Sequence, residues 1–506
     1  MQLTQGESTM SDGTQTGADP IPTHVDVAII GTGFSGLGMA IKLKQAGRDN
    51  FVLLEKDEDL GGCWRDNTYP GCCCDIPSHL YSFSFEQVPS WTRKYPRQEE
   101  IHTYLRHCAD KYGIQPHVRY RSEVVKVTFC DASGFWQLHL NGGTRLTARV
   151  VMAGMGPLHR PAIPALPGLE SFKGTRFHSS HWNHAADLND KRVAVIGTGA
   201  SAIQFVPQIA PRVKALHLFQ RTPPWIMPRP DREMTNIEKW CFTHLPVTQQ
   251  LYRRLLYWRH EFRGRALNEK SWIHKHAQRM AANYLKAQIA DPVLREKLTP
   301  QYSLGCKRVL ISNDYYPAMC LDNLDLITSP VTEIRGNTVV AEDGSERDVD
   351  AIVFGTGFAA ADPLQPDFLY GPGGLDLYRR WQEEGAQAYK GVSVAGLPNF
   401  FFLIGPNSGL GHNSMILMIE AQIQYILQCL DYMDQHGVRH WDVRRREQDA
   451  YNDELQARVG TAVWSSGCRS WYLNKDGRNT TIWPGFVHEY EARMRKLAPQ
   501  VYEATS

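Results

Sequence analysis

No two of the eleven cysteines stand at the C-x-x-C spacing in this chain of 506 residues. That absence argues against a zinc ribbon and against a thioredoxin-type redox pair. Three of the cysteines are adjacent, Cys72, Cys73 and Cys74, and adjacent cysteines do not suit a disulfide framework. We therefore expect the protein to work in a reducing compartment.

Long apolar runs and a large net charge are also missing. The strongest apolar runs, such as residues 400–404, are too short to span a bilayer, and the formal net charge is only +2. That charge gives no electrostatic basis for nucleic acid or an anionic membrane as the main partner. Residues 1–23 lack the apolar segment of a signal peptide and predict a disordered tail, in which Met10 is an alternative start. The sequence thus predicts a cytoplasmic protein without a membrane span, and it leaves the oligomeric state open.

What is present is a complete dinucleotide-binding pattern near the N-terminus. An apolar strand from Val25 leads into Gly31-Thr-Gly33-Phe-Ser-Gly36, an amphipathic helix follows, and the next strand ends at Glu55. In this pattern the first glycine allows a tight turn, the second lets the backbone approach a pyrophosphate, and the third lets the helix pack on the strand. Glu55 is placed to accept hydrogen bonds from a ribose.

A second dinucleotide-binding pattern runs through Gly197–Ala202, where alanine replaces the third glycine. Arg221 and Thr222 stand where the first unit has Glu55. A carboxylate would repel a 2′-phosphate at this place, whereas a guanidinium and a hydroxyl can bind it. The second unit therefore predicts NADPH in preference to NADH, unless Arg221 is only a surface charge.

The two patterns predict an α/β fold with two dinucleotide-binding, Rossmann-like domains. Residues 24–165 and 336–506 are expected to form one split domain, and residues 166–335 the other. A stretch at about 228–300 has no counterpart in the first unit and predicts a helical insertion rich in aromatic residues. Aromatic residues at helical spacing favour a packed core here, ahead of a substrate tunnel and, last, a membrane-surface role.

Between the two units lies the spacing F-x-G-x-x-x-H-x-x-x-W, formed by Phe172, Gly174, His178 and Trp182. Taken singly, these residues suit a glycine turn flanked by core aromatic residues and a structural histidine. With dinucleotide loops on both sides, the spacing resembles the fingerprint of the type I (class B flavoprotein) Baeyer–Villiger monooxygenases. These flavoenzymes insert one oxygen atom of O2 next to a ketone carbonyl. The position of the fingerprint predicts a hinge or bridge between the two nucleotide units.

A second signature of the same family follows the first unit. Residues 61–75 reproduce G-G-x-W, four residues, Y-P-G, three residues and an aspartate, Asp75. In the family this acid lies beside the flavin ring, although a single loop aspartate is more often a solvated turn residue. Lys307 and Arg308 occupy the place of the family's Lys-Arg pair, in which the lysine reaches the 2′-phosphate of NADPH and the arginine stabilises negative charge over the flavin.

The resemblance implies an enzyme that consumes NADPH and O2 and converts ketones to esters or lactones through a flavin peroxide, with sulfoxidation as a side activity. The implied catalytic residues are Arg308 and Asp75, and no metal is expected. The implied FAD-binding residues are Gly31, Gly33, Phe34, Ser35, Gly36, Glu55, Gly62, Trp64, Asp75, Tyr81, Val124 and Met415. The implied NADPH-binding residues are Thr198, Gly199, Ala200, Ser201, Ala202, Arg221, Thr222, Lys307, Arg308 and Trp471.

Three other functions are compatible with parts of the sequence. A related flavin monooxygenase that oxidises amine nitrogen or sulfide sulfur would share both dinucleotide loops, but Trp182 and the pair of Asp75 and Arg308 argue against it. A disulfide reductase of similar architecture would need a C-x-x-C pair. A regulator that binds FAD and NADPH without turnover would not need Asp75 and Arg308 together.

Overall fold

The fold is taken from a computed structural model, which describes residues 21–360, 362, 364–468 and 470–505. Most of the predicted N-terminal tail, residues 1–20, lies outside the described residues. The helices are α1 Phe34–Gln45, α2 Cys63–Asp66, α3 Gln98–Lys111, α4 Ala202–Ile209, α5 Asn236–His244, α6 Pro246–Gly264, α7 Trp272–Gln288, α8 Pro292–Lys297, α9 Tyr315–Met319, α10 Leu377–Glu384, α11 Met415–Gln435, α12 Arg445–Val459 and α13 Val487–Met494. The strands are β1 His24–Ile30, β2 Phe51–Leu54, β3 Val118–Arg119, β4 Val124–Cys130, β5 Phe135–Leu140, β6 Arg145–Ala153, β7 Thr175–His178, β8 Arg192–Ile196, β9 Ala215–Phe219, β10 Ile226–Met227, β11 Leu310–Ile311, β12 Leu324–Ile327, β13 Val331–Arg335, β14 Thr338–Ala341, β15 Glu346–Asp348, β16 Ala351–Phe354, β17 Leu369–Tyr370, β18 Phe400–Phe402, β19 His440–Val443 and β20 Tyr502–Thr505.

The first nucleotide unit forms the centre of an eight-stranded sheet. The strand order is β17-β4-β5-β6-β1-β2-β3, and β18 joins the C-terminal half of β6. β1 is parallel to both neighbours, with Ile29 opposite Met152 on one side and Leu53 on the other. These central strands are apolar and buried, as parallel strands covered on both faces must be. One face is covered by α1, which packs against α11.

The second nucleotide unit forms a five-stranded sheet of its own. The order is β12-β9-β8-β16-β7, and all four pairings are parallel. Its core lies between the strands and α4, where Val195 and Phe205 are fully buried. The predicted fold class, α/β with two Rossmann-like domains, is confirmed.

One strand moves the expected boundary between the domains. β16 lies between β8 and β7 of the second sheet, with Val353 opposite Val195 and Phe177. The sequence had assigned the whole of 336–506 to the first domain, because a short apolar strand does not reveal which of two parallel sheets it joins. We therefore propose that the chain returns to the first domain only after β16.

Two extended segments connect the domains and pair with each other. The Ala162 N–H donates to the Gly357 carbonyl at 2.9 Å, and the Ala359 N–H donates to the Arg160 carbonyl at 3.0 Å. The outgoing and returning segments thus form one hydrogen-bonded connection.

The predicted helical insertion is present as α5–α8, but the predicted core is only partly there. Leu256 of α6 faces the protein and is 2% exposed. The prediction that the aromatic and apolar residues of the insertion form a packed core was wrong for the side that faces away from the protein. Five large side chains there are each more than half exposed: Trp240, Leu251, Leu255, Trp258 and Trp272. None of the described helices is long and apolar enough to cross a membrane.

A buried carboxylate fastens the inner side of α6 to the rest of the protein. Glu261 accepts hydrogen bonds from Asn413 Nδ2 at 2.9 Å and from His488 Nδ1 at 2.7 Å, and His412 Nε2 lies 3.1 Å away. These partners belong to the loop before α11 and to α13. Burial alone would raise the pKa of Glu261, but the hydrogen bonds from His412, Asn413 and His488 outweigh it and lower the pKa to about 2.

Glu261→Gln is expected to lower the free energy of unfolding by about 2–3 kcal/mol at pH 7, because the buried side chains of His412 and Asn413 lose a charged partner. The folded-state pKa of Glu261 lies below its ordinary value of 4.5, so this stability is present above that value and is lost as the pH falls towards 2. The difference in melting temperature between variant and wild type, followed by circular dichroism, should therefore shrink on acidification. The exposed Glu58→Gln is the matched control, and a difference independent of pH would contradict the argument.

Candidate active site

The first glycine loop brings β1, α1 and the end of β6 into close contact. Gly31 has a φ of +94°, and a Cβ built there would lie 2.9 Å from the Gly154 carbonyl oxygen. A Cβ at Gly36 would lie 1.9 Å from the Gly31 oxygen. Side chains larger than hydrogen would therefore displace the backbone at both places. The consequence is that α1 begins directly at the loop and directs its free N–H groups into the space in front of it.

Glu55 directly follows β2, and its carboxylate is buried beside this loop. The Thr32 N–H donates to Oε2 at 3.2 Å, and Arg65 Nη1 donates to Oε1 at 2.8 Å. Gly62, with a φ of +54°, lies so close that a Cβ there would be 3.2 Å from the Gly33 Cα. The loop of the second signature is therefore packed against the glycine loop.

A cavity of about 560 Å³ extends from the first glycine loop towards the second domain. Arg308 and Trp471, from the predicted NADPH set, line it. The members of the predicted FAD set that line it are Gly31, Gly33, Phe34, Ser35, Glu55, Gly62, Tyr81, Val124 and Met415. Three predicted FAD residues do not line the cavity but contact residues that do, or that belong to the glycine loop. Gly36 packs on Gly31, Trp64 donates from Nε1 to the Tyr81 hydroxyl at 3.1 Å, and Asp75 contacts Arg308.

The two catalytic candidates form an ion pair at this cavity. Arg308 donates from Nε and Nη2 to Asp75 Oδ2, at 3.0 and 2.6 Å. The charge of Asp75 raises the pKa of Arg308 above its already high ordinary value. The guanidinium is thus a permanent cation whose orientation Asp75 fixes.

A disulfide between Cys306 and Cys468 joins the segment of Arg308 to the loop of Trp471. The expectation that the chain has no disulfide framework holds for the other nine cysteines, which are free and include Cys72–Cys74. It was wrong for this pair, because 162 residues separate the two cysteines in the sequence. Arg308 and Trp471 line the same cavity, and the disulfide holds the two segments that carry them together.

The second glycine loop repeats the construction of the first. Gly197 has a φ of +104°, and a Cβ there would lie 2.4 Å from the Gly355 carbonyl oxygen. β8 and β16 therefore approach each other at this loop as β1 and β6 do at the first. Thr198 donates from Oγ1 to the Thr222 carbonyl at 3.4 Å. Residues 199–201 are exposed or half-buried, so the start of α4 is open to a ligand.

Two cations meet at the end of β9. Burial lowers the pKa of Lys307, and the nearby charge of Arg221 lowers it further. The Lys307 ammonium lies 5.0 Å from the centre of the Tyr302 ring. Within the described residues, neither Arg221 nor Lys307 forms an ion pair with a carboxylate. Adjacent cations without a counter-charge suit an anionic ligand, such as a nucleotide phosphate at the second loop.

Two fingerprint residues support β7, the edge strand of the second sheet. A Cβ at Gly174 would lie 2.3 Å from the Asp350 carbonyl oxygen, so a side chain there would force apart β7 and the start of β16. Phe172 is buried in the apolar cluster on one face of the same sheet. Both residues therefore act through packing and do not line the cavity.

The other two fingerprint residues extend from β7 towards its neighbours. Burial lowers the pKa of His178 to about 4 and keeps the ring neutral, and this ring lies 5.6 Å from that of Phe358 in the returning connection. Trp182 packs on Phe205 of α4 at a ring distance of 5.3 Å. The fingerprint thus contacts both the connection between the domains and the second nucleotide helix.

Comparison with known proteins identifies the family. Residues 24–370 match the family model described as FMO-like, flavin-binding monooxygenase-like. The chain belongs to this family. A Baeyer–Villiger monooxygenase of Pseudomonas aeruginosa is 49% identical over 485 residues, which cover 96% of this chain and 92% of that protein. A Baeyer–Villiger monooxygenase of Streptomyces coelicolor is 45% identical, with 96% and 93% covered.

Solved structures of flavin-binding monooxygenases have the same fold as this chain. The crystal structure of the OTEMO complex with FAD and NADP superposes with a TM-score of 0.86 at 26% identity and covers 95% of this chain and 99% of that one. The closed crystal structure of cyclohexanone monooxygenase gives 0.85 at 26% identity, with 96% and 100% covered. The predicted resemblance to the Baeyer–Villiger monooxygenases is confirmed.

Several residues that line the cavity of this flavin-binding monooxygenase were not predicted from the sequence. His159 and Arg160 come from the outgoing connection, for which the sequence indicated only a domain boundary after residue 165. His181 also lines the cavity, and its place inside the fingerprint was the one signal that could have identified it. Thr480–Ile482 come from a loop whose sequence carries no motif.

The residues of the cavity fit a flavin dinucleotide. A Cβ built at Gly33 would meet only the Gly62 Cα, at 3.8 Å, so the backbone there faces open space. The N-terminus of α1 and the buried carboxylate of Glu55 border the same space. These are the donors and the acceptor that a pyrophosphate and a ribose require.

Proposed function

We propose that this chain is a Baeyer–Villiger monooxygenase that uses FAD, NADPH and O2 to convert ketones to esters or lactones. The observation that carries the proposal is the ion pair of Asp75 and Arg308 at a cavity bordered by a dinucleotide loop. A flavoprotein that only binds nucleotides has no need of an oriented cation at this place. The names of the relatives from Pseudomonas aeruginosa and Streptomyces coelicolor support the same chemistry.

We assign the cavity to FAD. The N–H groups that follow Gly33 bind the pyrophosphate, and Glu55 accepts hydrogen bonds from the ribose hydroxyls. Tyr81, Val124 and Met415 supply walls of the same cavity, and Trp64 positions Tyr81 through its hydrogen bond. When bound and reduced, FAD supplies the activation of O2.

Arg308 stabilises the negative charge that develops on the carbonyl oxygen of the ketone when it is attacked. A cation fixed before the reaction needs no reorganisation when that charge appears, which is the source of its effect. Asp75 is a positioning residue, since it touches Arg308 and does not line the cavity. Its carboxylate also balances part of the charge of the arginine in the resting protein.

We assign NADPH to the second loop. The N–H groups of residues 199–202 at the start of α4 bind its pyrophosphate, and Thr198 and Thr222 border the same loop. Arg221 and Lys307 bind the 2′-phosphate, because they are adjacent cations without a carboxylate partner in the described residues. Trp471 lines the same cavity as Arg308, and in this proposal it contacts the nicotinamide half.

The fingerprint acts as a hinge in this proposal. Gly174 permits the close packing of β7, and His178 contacts the returning connection through Phe358. A change in the angle between the domains would therefore be transmitted to His178 through Phe358. We also propose a cytoplasmic location, on the basis of the nine free cysteines.

Product analysis by mass spectrometry tests the function. The FAD-loaded protein is incubated with NADPH, O2 and a panel of linear, cyclic and polycyclic ketones together with a thioether. We expect esters or lactones that carry one additional oxygen atom. If only the thioether is oxidised, or if NADPH is consumed solely to hydrogen peroxide, the nucleotide sites are correctly assigned but the ketone chemistry of Arg308 and Asp75 is not.

A further inference from the structure

The helical insertion concentrates the exposed apolar side chains of the protein. Among the described residues, fifteen large apolar side chains are strongly exposed, and ten of them lie within 237–280. The feature is therefore a property of the insertion and not of the surface in general. We call these ten residues the outer face: Ile237, Trp240, Leu245, Val247, Leu251, Leu255, Trp258, Phe262, Trp272 and Met280.

Helix α6 contributes an apolar stripe to the outer face. Its members follow one another at intervals of three or four residues, which places them on one side of the helix; they are Val247, Leu251, Leu255, Trp258 and Phe262. The opposite side holds Leu256 and His260, which are buried against the protein. A helix on the surface of a soluble domain is expected to be polar on its outer side, so the stripe calls for a partner.

The charge around the stripe indicates what that partner is. Residues 236–288 contain ten Lys and Arg and three Glu, a net charge of +7 in a chain whose total is +2, which leaves −5 for the remainder. Two of the three Glu are already engaged, Glu238 with Arg232 and Glu261 with His412 and His488. Arg254 and Arg259 border the stripe on its two sides, and both are exposed.

We propose that the outer face binds the surface of an anionic phospholipid bilayer. Apolar and aromatic side chains enter the boundary between headgroups and acyl chains, and flanking arginines bind the phosphates. Three of the ten members are tryptophans, the side chain most suited to that boundary because it is apolar with one N–H donor. The insertion would lie in the plane of the membrane, which agrees with the finding that no described helix can cross one.

Other partners suit the outer face less well. Symmetric pairing with a second copy would bring two copies of this positively charged segment together, and the like charges would oppose the gain from apolar contact. Nucleic acid would meet the apolar stripe where its phosphates need cations. A bilayer provides both an apolar layer and negative charge in the same plane.

Flotation of the FAD-loaded protein with lipid vesicles tests the proposal. We expect the wild type to bind vesicles of about three parts phosphatidylcholine and one part phosphatidylglycerol at least about 10-fold more strongly than pure phosphatidylcholine. Binding should weaken as salt is added, because the arginines act through charge.

Two variants separate the apolar and the ionic contributions. Leu251→Ser/Leu255→Ser/Trp258→Ser removes the centre of the stripe and should weaken binding to the mixed vesicles about 30-fold or more. Arg254→Glu/Arg259→Glu should abolish the preference for the anionic lipid. The matched control is Val125→Ser/Val293→Ser, which changes two exposed apolar residues outside the outer face and should bind as the wild type does. Bound FAD and NADPH consumption verify that each variant is folded.

The proposal is overturned if the wild type binds neither kind of vesicle, or if both variants bind as the control does. Equal binding to the two lipid compositions would also overturn it, because the anionic headgroup is part of the claim. If analytical ultracentrifugation instead finds a dimer that the triple serine variant converts to a monomer, and vesicles are not bound, the outer face is a contact with a second copy. None of these results depends on ketone oxidation, so they can be distinguished from failure of the proposed function.

Discussion

Arg308→Ala is expected to retain FAD and to reduce ester formation by at least about 10³-fold. The guanidinium lines the cavity and is held by two hydrogen bonds to Asp75. Alanine offers no charge to the ketone oxygen when negative charge develops there, and water cannot supply a fixed dipole in its place. The measurement is ester formed per NADPH consumed, with bound FAD followed by its visible absorbance.

Three further variants define the cause of that loss. Arg308→Lys keeps a cation but loses the planar fork, so we expect an intermediate reduction of about 10- to 100-fold. Asp75→Asn should weaken activity by disorienting Arg308 while FAD remains bound. Arg335→Ala removes an exposed arginine paired with Glu333 and should leave ester formation unchanged. The role assigned to Arg308 fails if its alanine variant still forms ester at a rate near that of the wild type.

The nucleotide loops could be predicted from the sequence because the glycine spacing that identifies them is local. Gly31, Gly33 and Gly36 lie within six residues, although the oxygen that a side chain at Gly31 would meet belongs to the distant Gly154. Gly197 begins the same spacing in the second unit, and the oxygen that it avoids belongs to the distant Gly355. Such patterns are read from neighbours in the chain, and the structure bears out the fold that they predict.

The composition of the active site could not be derived in the same way. Arg308 and Asp75 are 233 residues apart, and no local pattern indicates that their side chains meet; only the family resemblance did. Cys306 and Cys468 carried no motif at all, and their disulfide was missed. Contacts that the tertiary fold creates between distant segments leave no period or spacing in the sequence.

The insertion shows a different limit of sequence analysis. Leu255 and Leu256 are adjacent and equally apolar, yet one is 64% and the other 2% exposed. Helical periodicity predicts that apolar residues share a side, but α6 is apolar on two sides, and the sequence alone does not tell which side faces the protein. The preference for a core assumed that every apolar side is covered within the chain.

Removing either cation at the end of β9 is expected to change the choice of cofactor. We predict that Arg221→Ala and Lys307→Ala each raise the KM for NADPH about 10- to 100-fold and leave the KM for NADH nearly unchanged. Burial and the mutual repulsion of the two cations are unfavourable in the free protein, and only the ligand with a 2′-phosphate compensates for them. Steady-state oxidation of each cofactor at saturating O2 provides the measurement.

The double variant Arg221→Ala/Lys307→Ala tests whether the two cations bind the same phosphate. If both cations contact one phosphate, as proposed above, their losses should not add, and Arg221→Ala/Lys307→Ala should use NADPH and NADH about equally well. Lys214→Ala, at an exposed lysine just before β9, should keep the preference of the wild type and is the control for a general loss of positive charge. Equal weakening with both cofactors would mean that Arg221 and Lys307 support the fold of the second loop and do not bind the 2′-phosphate. If Arg221→Ala alone does not change the KM for NADPH, then Arg221 is only a surface charge and Lys307 selects NADPH.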